Sequence, residues 1–372
     1  FPYTKRFRYN GNANGNASGN GRGNGNGHGN GNGNGSGNGG ALSLPPFQTC
    51  STRATDWGRR RLRNEVDGMK LVVTGSTGFI GRALVRALQA RGDSVVCLVR
   101  EPGRVALALP GARCVRWDAL QVDGEWAGEM EDAEAVVHLA GEPVMAHRWN
   151  ADVKRRIFDT RELGTRHLVD AIARAKGRPS VFVCSSGVDY YGDTGDRITD
   201  EPSPVGHGFL SEVCVAWERE AARARSCGVR PVMLRTGIVV GDQGGALEKM
   251  ITPFKFFVGG PVGGGAQWVS WIDRVDMVRV ILAAVDDPRL EGAVNAVGPE
   301  PVRMRDFSKA LGAAMGRASW APVPGFALRI AVGEAAEVIL SGKRVVPRAL
   351  ERVGFVFEHA SLARAMKSAV SG

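Results

Sequence analysis

Short apolar runs alternate with amphipathic segments along the chain from residue 69 onward. Six runs have the length and composition of buried β-strands, and they lie at 69–73, 94–99, 112–117, 135–141, 180–184 and 229–234. Helical periodicity occurs between and after them, at 151–175, 210–226 and 275–285. This alternation predicts an α/β fold of the Rossmann type, with a doubly wound parallel sheet. After residue 299 the pattern is mostly helical, at 305–315, 326–340 and 360–369, which predicts a smaller C-terminal lobe.

The first 68 residues have a different composition from the rest. Residues 9–40 are almost wholly Gly and Asn, so they have no apolar surface to bury and are predicted to be disordered. The leader is basic and poor in acids, which is typical of an organelle transit region, with a low-complexity extension that has no targeting role as the alternative. We therefore predict a leader over 1–68, a nucleotide-binding domain over 69–298 and a C-terminal lobe over 299–372.

Charge and cysteine usage exclude several classes of protein. The net charge is +10, but residues 1–68 hold nine lysines and arginines against three acids, which leaves the rest with only +4. We therefore expect no nucleic-acid partner. The six cysteines form no Cys-x-x-Cys pair, which favours a reducing compartment without a zinc site, and no metal ligand set is expected. No apolar stretch reaches the length of a membrane span.

The strand at 69–73 leads into the glycine motif Thr-Gly-Ser-Thr-Gly-Phe-Ile-Gly at 74–81. Gly75 permits a tight turn, Gly78 lets the backbone approach a pyrophosphate, and Gly81 lets helix and strand pack closely. The start of the following helix offers free N–H groups and the positive end of a dipole to an anion. The motif predicts a dinucleotide site, with a glycine-rich turn that binds no ligand as the alternative.

Arg100 follows the second predicted strand, with Arg104 close behind. An acidic residue near this strand end holds the ribose 2′-hydroxyl of NAD, whereas an arginine suits the 2′-phosphate of NADP. The sequence therefore favours NADP(H) over NAD(H), although Glu101 is adjacent and both arginines could be ordinary solvated loop residues.

Separated motifs across residues 69–370 resemble the extended short-chain dehydrogenase/reductase superfamily, and within it an atypical epimerase-like branch. That branch contains bacterial sugar-nucleotide epimerase-like proteins, a human NADP-dependent oxidoreductase-like protein and the plant giant-chloroplast protein. The segments that carry the resemblance include 74–81, 139–142, 148–150, 190–193, 234–241, 244–247, 259–261, 270–272, 322–324 and 345–347. The final lobe is similar to a domain of unknown function that is particular to this branch.

The resemblance implies a set of cofactor-binding residues. The loop would hold the dinucleotide, Arg100 would bind its phosphate, Asp118 would face the adenine, and the turn at 139–141 would lie along the cofactor. The complete set is Gly75, Thr77, Gly78, Phe79, Ile80, Gly81, Arg100, Asp118, Leu139, Ala140, Gly141, Arg161 and Val239. Structural alternatives remain: Asp118 could cap a helix, Arg161 could be a solvated helix residue, and the turn at 139–141 could serve packing alone.

Catalysis is harder to assign, because the superfamily's Tyr-x-x-x-Lys is missing. In that motif the lysine lowers the pKa of the tyrosine acid, and a serine orients the substrate oxygen. Here Leu210 and Cys214 match the tyrosine and lysine positions. Ser186 and Tyr190 are the remaining candidates, although packing at the mouth of the pocket is the slightly favoured role for Tyr190. Trp268 and Trp271 could stack on a substrate ring or fill a hinge between lobes.

Three functions remain open at this stage. The first is an NADP(H)-dependent oxidoreductase that acts on a small molecule through a non-standard acid. The second is a non-catalytic NADPH-binding regulator with a protein partner, in plastid division as the plant relative suggests. The third is a sugar-nucleotide epimerase. The leader and the plant-like motifs predict a chloroplast location, with the mitochondrion as the alternative.

Overall fold

The computed structural model describes residues 68–242 and 244–371. The predicted disorder and the transit function of the leader fall on residues 1–67, which lie outside the described residues. The domain boundary predicted at residue 298 stays a prediction.

Seven strands form the central sheet, and six short strands form three smaller pairs. The strands are β1 Lys70–Thr74, β2 Ser94–Val99, β3 Arg113–Arg116, β4 Ala135–His138, β5 Val181–Gly187, β6 Ile198–Thr199, β7 Arg230–Thr236, β8 Ile238–Val240, β9 Trp268–Val269, β10 Trp271–Asp273, β11 Gly292–Ala296, β12 Val302–Arg303 and β13 Arg344–Val345.

The α-helices flank the sheet and build the C-terminal lobe. They are α1 Phe79–Ala90, α2 Pro102–Ala108, α3 Ala151–Arg174, α4 Phe209–Ala222, α5 Gly245–Lys255, α6 Arg274–Asp286, α7 Met304–Ala314, α8 Gly325–Val332, α9 Glu337–Leu340, α10 Arg348–Arg352 and α11 Leu362–Ser371. Short 3₁₀-helices occur at Glu125–Met130, Val188–Tyr191, Arg223–Cys227 and Gly333–Ala336.

The central sheet is parallel throughout, in the order β11-β7-β5-β4-β1-β2-β3. The chain runs from β1 outward to β3 and then returns to the other side of β1 with β4. The direction of winding therefore reverses between β1 and β4, and the carboxyl ends of these two strands border a crevice. The predicted doubly wound α/β fold is confirmed.

Each face of the sheet is buried under helices, because successive side chains of a strand point to opposite faces. Leu71 and Val73 of β1 belong to one apolar cluster, which includes side chains of α1 and α6. Val72 lies in a second cluster, which includes side chains of α3 and α4. Burial on both faces explains why β1 reads as a continuous apolar run in the sequence.

A third apolar cluster joins the two parts of the chain on either side of residue 298. It contains Phe254 from α5 and Trp271 from β10, together with Phe307 from α7 and Met366 from α11. All four side chains are essentially inaccessible to solvent. The C-terminal lobe is therefore packed into the first domain through a shared core.

The structure corrects some of the predicted elements. The helix predicted over 326–340 is broken, because Gly333 has a φ of +66° and ends α8. The predicted strand at 180–184 continues to Gly187, since β7 pairs with it over its whole length. Strand β11 and helix α5 were not predicted. Residues 259–265 contain no helix or named strand, as expected for so glycine-rich a run.

Candidate functional site: a dinucleotide crevice

The loop after β1 adopts a conformation that requires glycine at two positions. Gly75 has a φ of +69°, and a Cβ placed on it would lie 2.7 Å from the carbonyl carbon of Leu139. A Cβ on Gly81 would lie 2.1 Å from the carbonyl oxygen of Gly75. The third glycine, Gly78, donates its N–H to the same oxygen at 2.9 Å. The three glycines therefore form one tight turn, at the place where the winding of the sheet reverses.

Helix α1 begins in this loop with its first N–H groups uncapped. Gly78 occupies the N-cap position without a side-chain hydrogen bond, and the first turn holds no acidic residue. Thr77 is exposed, and Phe79 and Ile80 are half-buried. The loop thus presents backbone donors and a positive dipole end without a competing carboxylate, which suits a pyrophosphate. These residues fit a dinucleotide.

Thr74 fastens this loop to the loop after β4. Its hydroxyl accepts the N–H groups of Leu139 and Ala140, both at 3.2 Å, and lies 2.6 Å from Nδ1 of His138. Burial, and then the positive charge of Arg161, lower the pKa of His138 to about 3, so the ring is neutral near pH 7. The strand predicted to run to residue 141 ends at His138, because the N–H of Leu139 is shared between the carbonyl oxygen and the hydroxyl of Thr74, and the N–H of Ala140 bonds the hydroxyl instead of a strand carbonyl.

Arg100 and Asp118 lie at the carboxyl ends of the next two strands. Arg100 follows β2 directly, is exposed, and makes no hydrogen bond or ion pair with the rest of the described chain. Arg104 lies near Glu101, with 3.8 Å between Nη1 and Oε2. Asp118 accepts the N–H of Leu120 at 2.8 Å, so it stabilises a turn and does not cap a helix. Both Arg100 and Asp118 face the solvent on the β2–β3 side of the crevice.

Arg161 lies under the turn at 139–141. A Cβ on Gly141 would lie 3.0 Å from its guanidinium carbon, which in turn lies 5.0 Å from the centre of the Trp217 ring. Nη1 donates to the carbonyl oxygens of Glu142 at 2.9 Å and Ile157 at 3.1 Å. Arg161 is half-buried, and burial lowers the pKa of its guanidinium; together with the two backbone partners this favours a positioning role over that of an ordinary solvated helix residue.

Val239 is the remaining predicted cofactor residue, and it is buried. It lies in β8 opposite Ile272 of β10 and contributes to the cluster that contains α1. Its carbonyl oxygen is 3.4 Å from the position of a Cβ on Gly245. Its predicted contact with the cofactor stays a prediction.

Ser186 belongs to a buried polar network. Its hydroxyl donates to Oε1 of Glu218 at 2.7 Å, and that carboxylate is held by Arg235 through two hydrogen bonds of 2.8 Å. Arg235 also donates to the hydroxyl of Tyr191, which donates to Oδ1 of Asn295 at 2.7 Å. A buried network of this kind fixes one arrangement of β5, α4 and β7. The hydroxyl of Ser186 is therefore committed to Glu218, and its role in catalysis stays a prediction.

Tyr190 lies on the exposed side of the same network. The guanidinium carbon of Arg235 is 3.4 Å from the centre of its ring, and the ring of Tyr191 packs edge-on at 5.3 Å. The packing role is therefore present, and the catalytic role of Tyr190 is untested. Both positions that replace Tyr-x-x-x-Lys are apolar in character: Leu210 packs in an apolar cluster, and burial raises the pKa of Cys214 to about 12.

The structure adds a carboxylate that sequence reasoning missed. Asp189 follows β5, its side chain is 26% exposed, and Oδ1 lies 3.0 Å from Nζ of Lys343 in the C-terminal lobe. Its other oxygen, Oδ2, lies 3.5 Å from the position of a Cβ on Gly187, and the Sγ of Cys214 lies 3.7 Å from the same point. No local sequence signal joins residues 189 and 343.

Trp268 of β9 and Trp271 of β10 both have partners inside the protein. Trp268 donates to Asp196 at 2.7 Å and lies between Arg303 and Arg344. Trp271 is 1% exposed and donates to the carbonyl oxygen of Glu300. These contacts favour the packing interpretation over stacking on a substrate ring.

The part of the chain that the structure describes contains neither a metal ligand set nor a membrane-spanning helix. There, no three His, Cys, Asp or Glu side chains come close enough to hold a metal ion. None of its helices is long and apolar enough to cross a membrane.

A glycine loop at the switch point of a parallel sheet defines a dinucleotide-binding α/β protein. The model of the NAD dependent epimerase/dehydratase family matches residues 71–297, and that of a domain of unknown function, DUF1731, matches residues 323–369. The chain therefore belongs to the NAD dependent epimerase/dehydratase family, and the predicted epimerase-like branch of the short-chain dehydrogenase/reductases is confirmed.

Three relatives show how far the likeness extends. The "Epimerase family protein SDR39U1 homolog, chloroplastic" of Arabidopsis thaliana is 38% identical over 81% of this chain and 86% of its own. An epimerase family protein of Mycobacterium leprae is 37% identical over 81% of this chain and 95% of its own. A crystal structure of the human epimerase family protein SDR39U1 with NADPH superposes with a TM-score of 0.75, at 32% identity, over 82% of this chain and 100% of that one.

Proposed function

We propose that the protein is an NADP(H)-dependent oxidoreductase that acts on a small carbonyl or alcohol substrate. The observation that carries this proposal is the uncapped start of α1, which packs closely on the β1 loop at Gly81, while that loop packs on the β4 loop at Gly75. The NADPH in the human relative's structure supports the same cofactor here. When bound, the dinucleotide would supply or accept a hydride, and this chain's residues would bind and orient it.

Arg100 supports NADP(H) over NAD(H). It is exposed and free of internal partners at the end of β2, where the 2′-phosphate of the adenosine half would lie. Asp118, at the end of the neighbouring strand, would face the adenine. Arg161 would act indirectly, since it supports the turn at 139–141 from below.

The test is a pair of fluorescence titrations of the full chain with NADPH and NADH. We expect tight NADPH and weak NADH binding. Arg100→Ala should weaken NADPH about tenfold or more, because a charge-assisted hydrogen bond is lost, while NADH stays unchanged. Arg104→Ala is the matched control and should change neither. An equal loss of both cofactors in Arg100→Ala would contradict the phosphate assignment, and preference for NADH in the unchanged protein would overturn NADP(H).

A non-catalytic NADPH-binding regulator is the second candidate. The observation that favours it is the pair Leu210 and Cys214, neither of which can act as the usual acid and base. This function predicts tight NADPH binding without turnover in a screen of carbonyl compounds, and a protein partner. A compound that the protein reduces with NADPH would exclude it.

A plastid location is the companion proposal, supported by the chloroplastic relative in Arabidopsis and by the composition of residues 1–68. A fluorescent protein fused behind residues 1–68 should enter chloroplasts. Import into mitochondria would favour the alternative organelle, and a signal that stays in the cytosol would contradict targeting by this segment.

A further inference from the structure

The reacting end of the crevice can be located from the sheet itself. Arg100 and Asp118 place the adenosine half of the proposed dinucleotide beyond β2 and β3, and the pyrophosphate belongs at the β1 loop. The other half must then lie over the ends of β4 and β5, which are paired neighbours through His138 and Cys184. The residues at those two strand ends therefore border the nicotinamide ring and the substrate.

Asp189 supplies a carboxylate at this end. It stands two residues beyond the end of β5, and its side chain is partly open to solvent. One oxygen, Oδ1, is bound by Lys343, whereas Oδ2 receives no hydrogen bond from the described residues and lies toward Gly187 and Cys214. A held carboxylate with one oxygen free is the form of a group that can exchange a proton with a ligand.

Lys343 is fixed well enough to position that carboxylate. Its side chain is 8% exposed, and Nζ also donates to the hydroxyl of Ser341 at 2.7 Å. Its backbone is anchored as well, because its N–H bonds the carbonyl oxygen of Trp268 and its own carbonyl oxygen accepts the hydroxyl of Ser270. The ammonium therefore has little freedom to leave Asp189.

We propose that Asp189 is the acid–base residue of this site and that Lys343, contributed by the C-terminal lobe, is its positioning residue. The inference rests on the proposed dinucleotide function and extends it, because it replaces the missing Tyr-x-x-x-Lys with a pair that spans both parts of the chain. In the oxidation of an alcohol, the substrate O–H bond breaks and its proton passes to Oδ2 of Asp189. The electron pair left on oxygen completes the C=O bond while the carbon gives up its hydride to the oxidised dinucleotide.

The charge of the oxidised nicotinamide ring gives a test that needs no substrate. A carboxylate that faces this ring favours NADP⁺ over NADPH, because only the oxidised ring is positively charged. Asp189→Asn should therefore weaken NADP⁺ relative to NADPH by about three- to tenfold. Lys343→Met removes the ammonium that lies against this carboxylate, which leaves Arg161 as the more distant positive charge, and should shift the same ratio in the opposite direction. The double variant should return close to the ratio of the unchanged protein.

Asp193→Asn is the matched control. It makes the same change of acid to amide four residues further on, in an exposed side chain that also contacts the C-terminal lobe through the N–H of Gly342. It should leave the ratio unchanged. Dissociation constants would be measured on the full chain, by NADPH fluorescence and by competition with NADP⁺.

The possible outcomes distinguish a failure of the Asp189–Lys343 assignment from a failure of the proposed function. Opposite shifts in Asp189→Asn and Lys343→Met support the pair, whereas no shift, or shifts in the same direction, would reduce it to an ion pair between lobes and overturn the proposal. Should Lys343→Met not fold, Asp189→Asn decides alone, since its side chain is isosteric and partly exposed. If the unchanged protein binds neither NADPH nor NADP⁺, the proposed function itself is wrong, and the roles assigned to Asp189 and Lys343 are then wrong as well.

Discussion

The contact between Gly81 and the Gly75 carbonyl gives the sharpest test of the crevice. In Gly81→Ala, the new methyl group would lie 2.1 Å from that oxygen and 2.8 Å from the Cα of Ser76. Both are backbone atoms, so no flexible side chain can move aside. Restoring a normal separation requires the start of α1 to move away from the loop by roughly 1 Å.

Two free energies oppose each other in this variant. Alanine favours a helix over glycine by about 0.5–1 kcal/mol, but overpacking of a rigid contact costs about 1–3 kcal/mol or more. We expect a net loss in the free energy of unfolding of about 1–2 kcal/mol, which is a fall in Tm of a few degrees for a domain of this size. Since the same N–H groups would hold the pyrophosphate, the NADPH dissociation constant should rise roughly tenfold or more.

Gly103→Ala is the control for this experiment. Gly103 lies in the first turn of α2, its φ is not positive, and a Cβ on it would meet no atom within 4 Å. It should keep or slightly raise the Tm and leave NADPH binding unchanged. Thermal unfolding and NADPH fluorescence titration of both variants give the answer. A Gly81→Ala protein with unchanged Tm and unchanged affinity would refute the close contact and the loop as a phosphate site.

Three further predictions concern buried groups. Glu218→Gln leaves the Arg235 charge without its carboxylate and should cost about 3–5 kcal/mol in urea unfolding, whereas a loss below 1 kcal/mol would contradict a buried ion pair. Ser186→Ala removes only one hydrogen bond to Glu218 and should cost about 1 kcal/mol with NADPH affinity unchanged; a loss of turnover without loss of stability would instead restore Ser186 as a catalytic residue. Stability should fall as the pH drops from about 6.5 toward 3, because the unfolded chain then protonates His138 while the folded ring, with a pKa of about 3, does not. This term is on the order of 3–5 kcal/mol at its limit, and His138→Asn should flatten that part of the pH profile.

The sequence was sufficient for those parts of the molecule that depend on local chemistry. The β1 run and the glycines at 75, 78 and 81 predicted a turn that the structure contains, because a positive φ and a missing Cβ are properties of single residues. The alternation of strands and helices likewise predicted the parallel sheet, since burial on both faces leaves continuous apolar runs.

Strand β11 was missed because its own residues give little signal. It reads Gly-Ala-Val-Asn-Ala, which has weak strand propensity, and its place in the sheet is set by pairing with β7. Asn295 is buried there because its N–H bonds Glu201 and its amide oxygen accepts the hydroxyl of Tyr191. Those partners are remote in sequence.

The geometry of the site also depends on contacts between residues that are far apart in sequence. The contact between Ser186 and Glu218 required the register of β5, whose alternation directs Ser186 to the same face as Phe182 and Cys184 and so toward Glu218. Lys343 and Asp189 lie far apart in sequence and meet only when the C-terminal lobe packs in place. No pattern along the sequence predicts a contact between these two residues.

The shared core of the two lobes has a consequence for how the protein folds during its synthesis on the ribosome. The sheet strands up to β11 can emerge and pair in chain order, but Phe254 of α5 packs in a cluster that α7 and α11 complete. Until α11 has left the exit tunnel, this cluster stays open and its apolar side chains face water. The nascent chain therefore exposes an apolar surface until α11 has emerged, and chaperone binding before that point would protect the segment around α5.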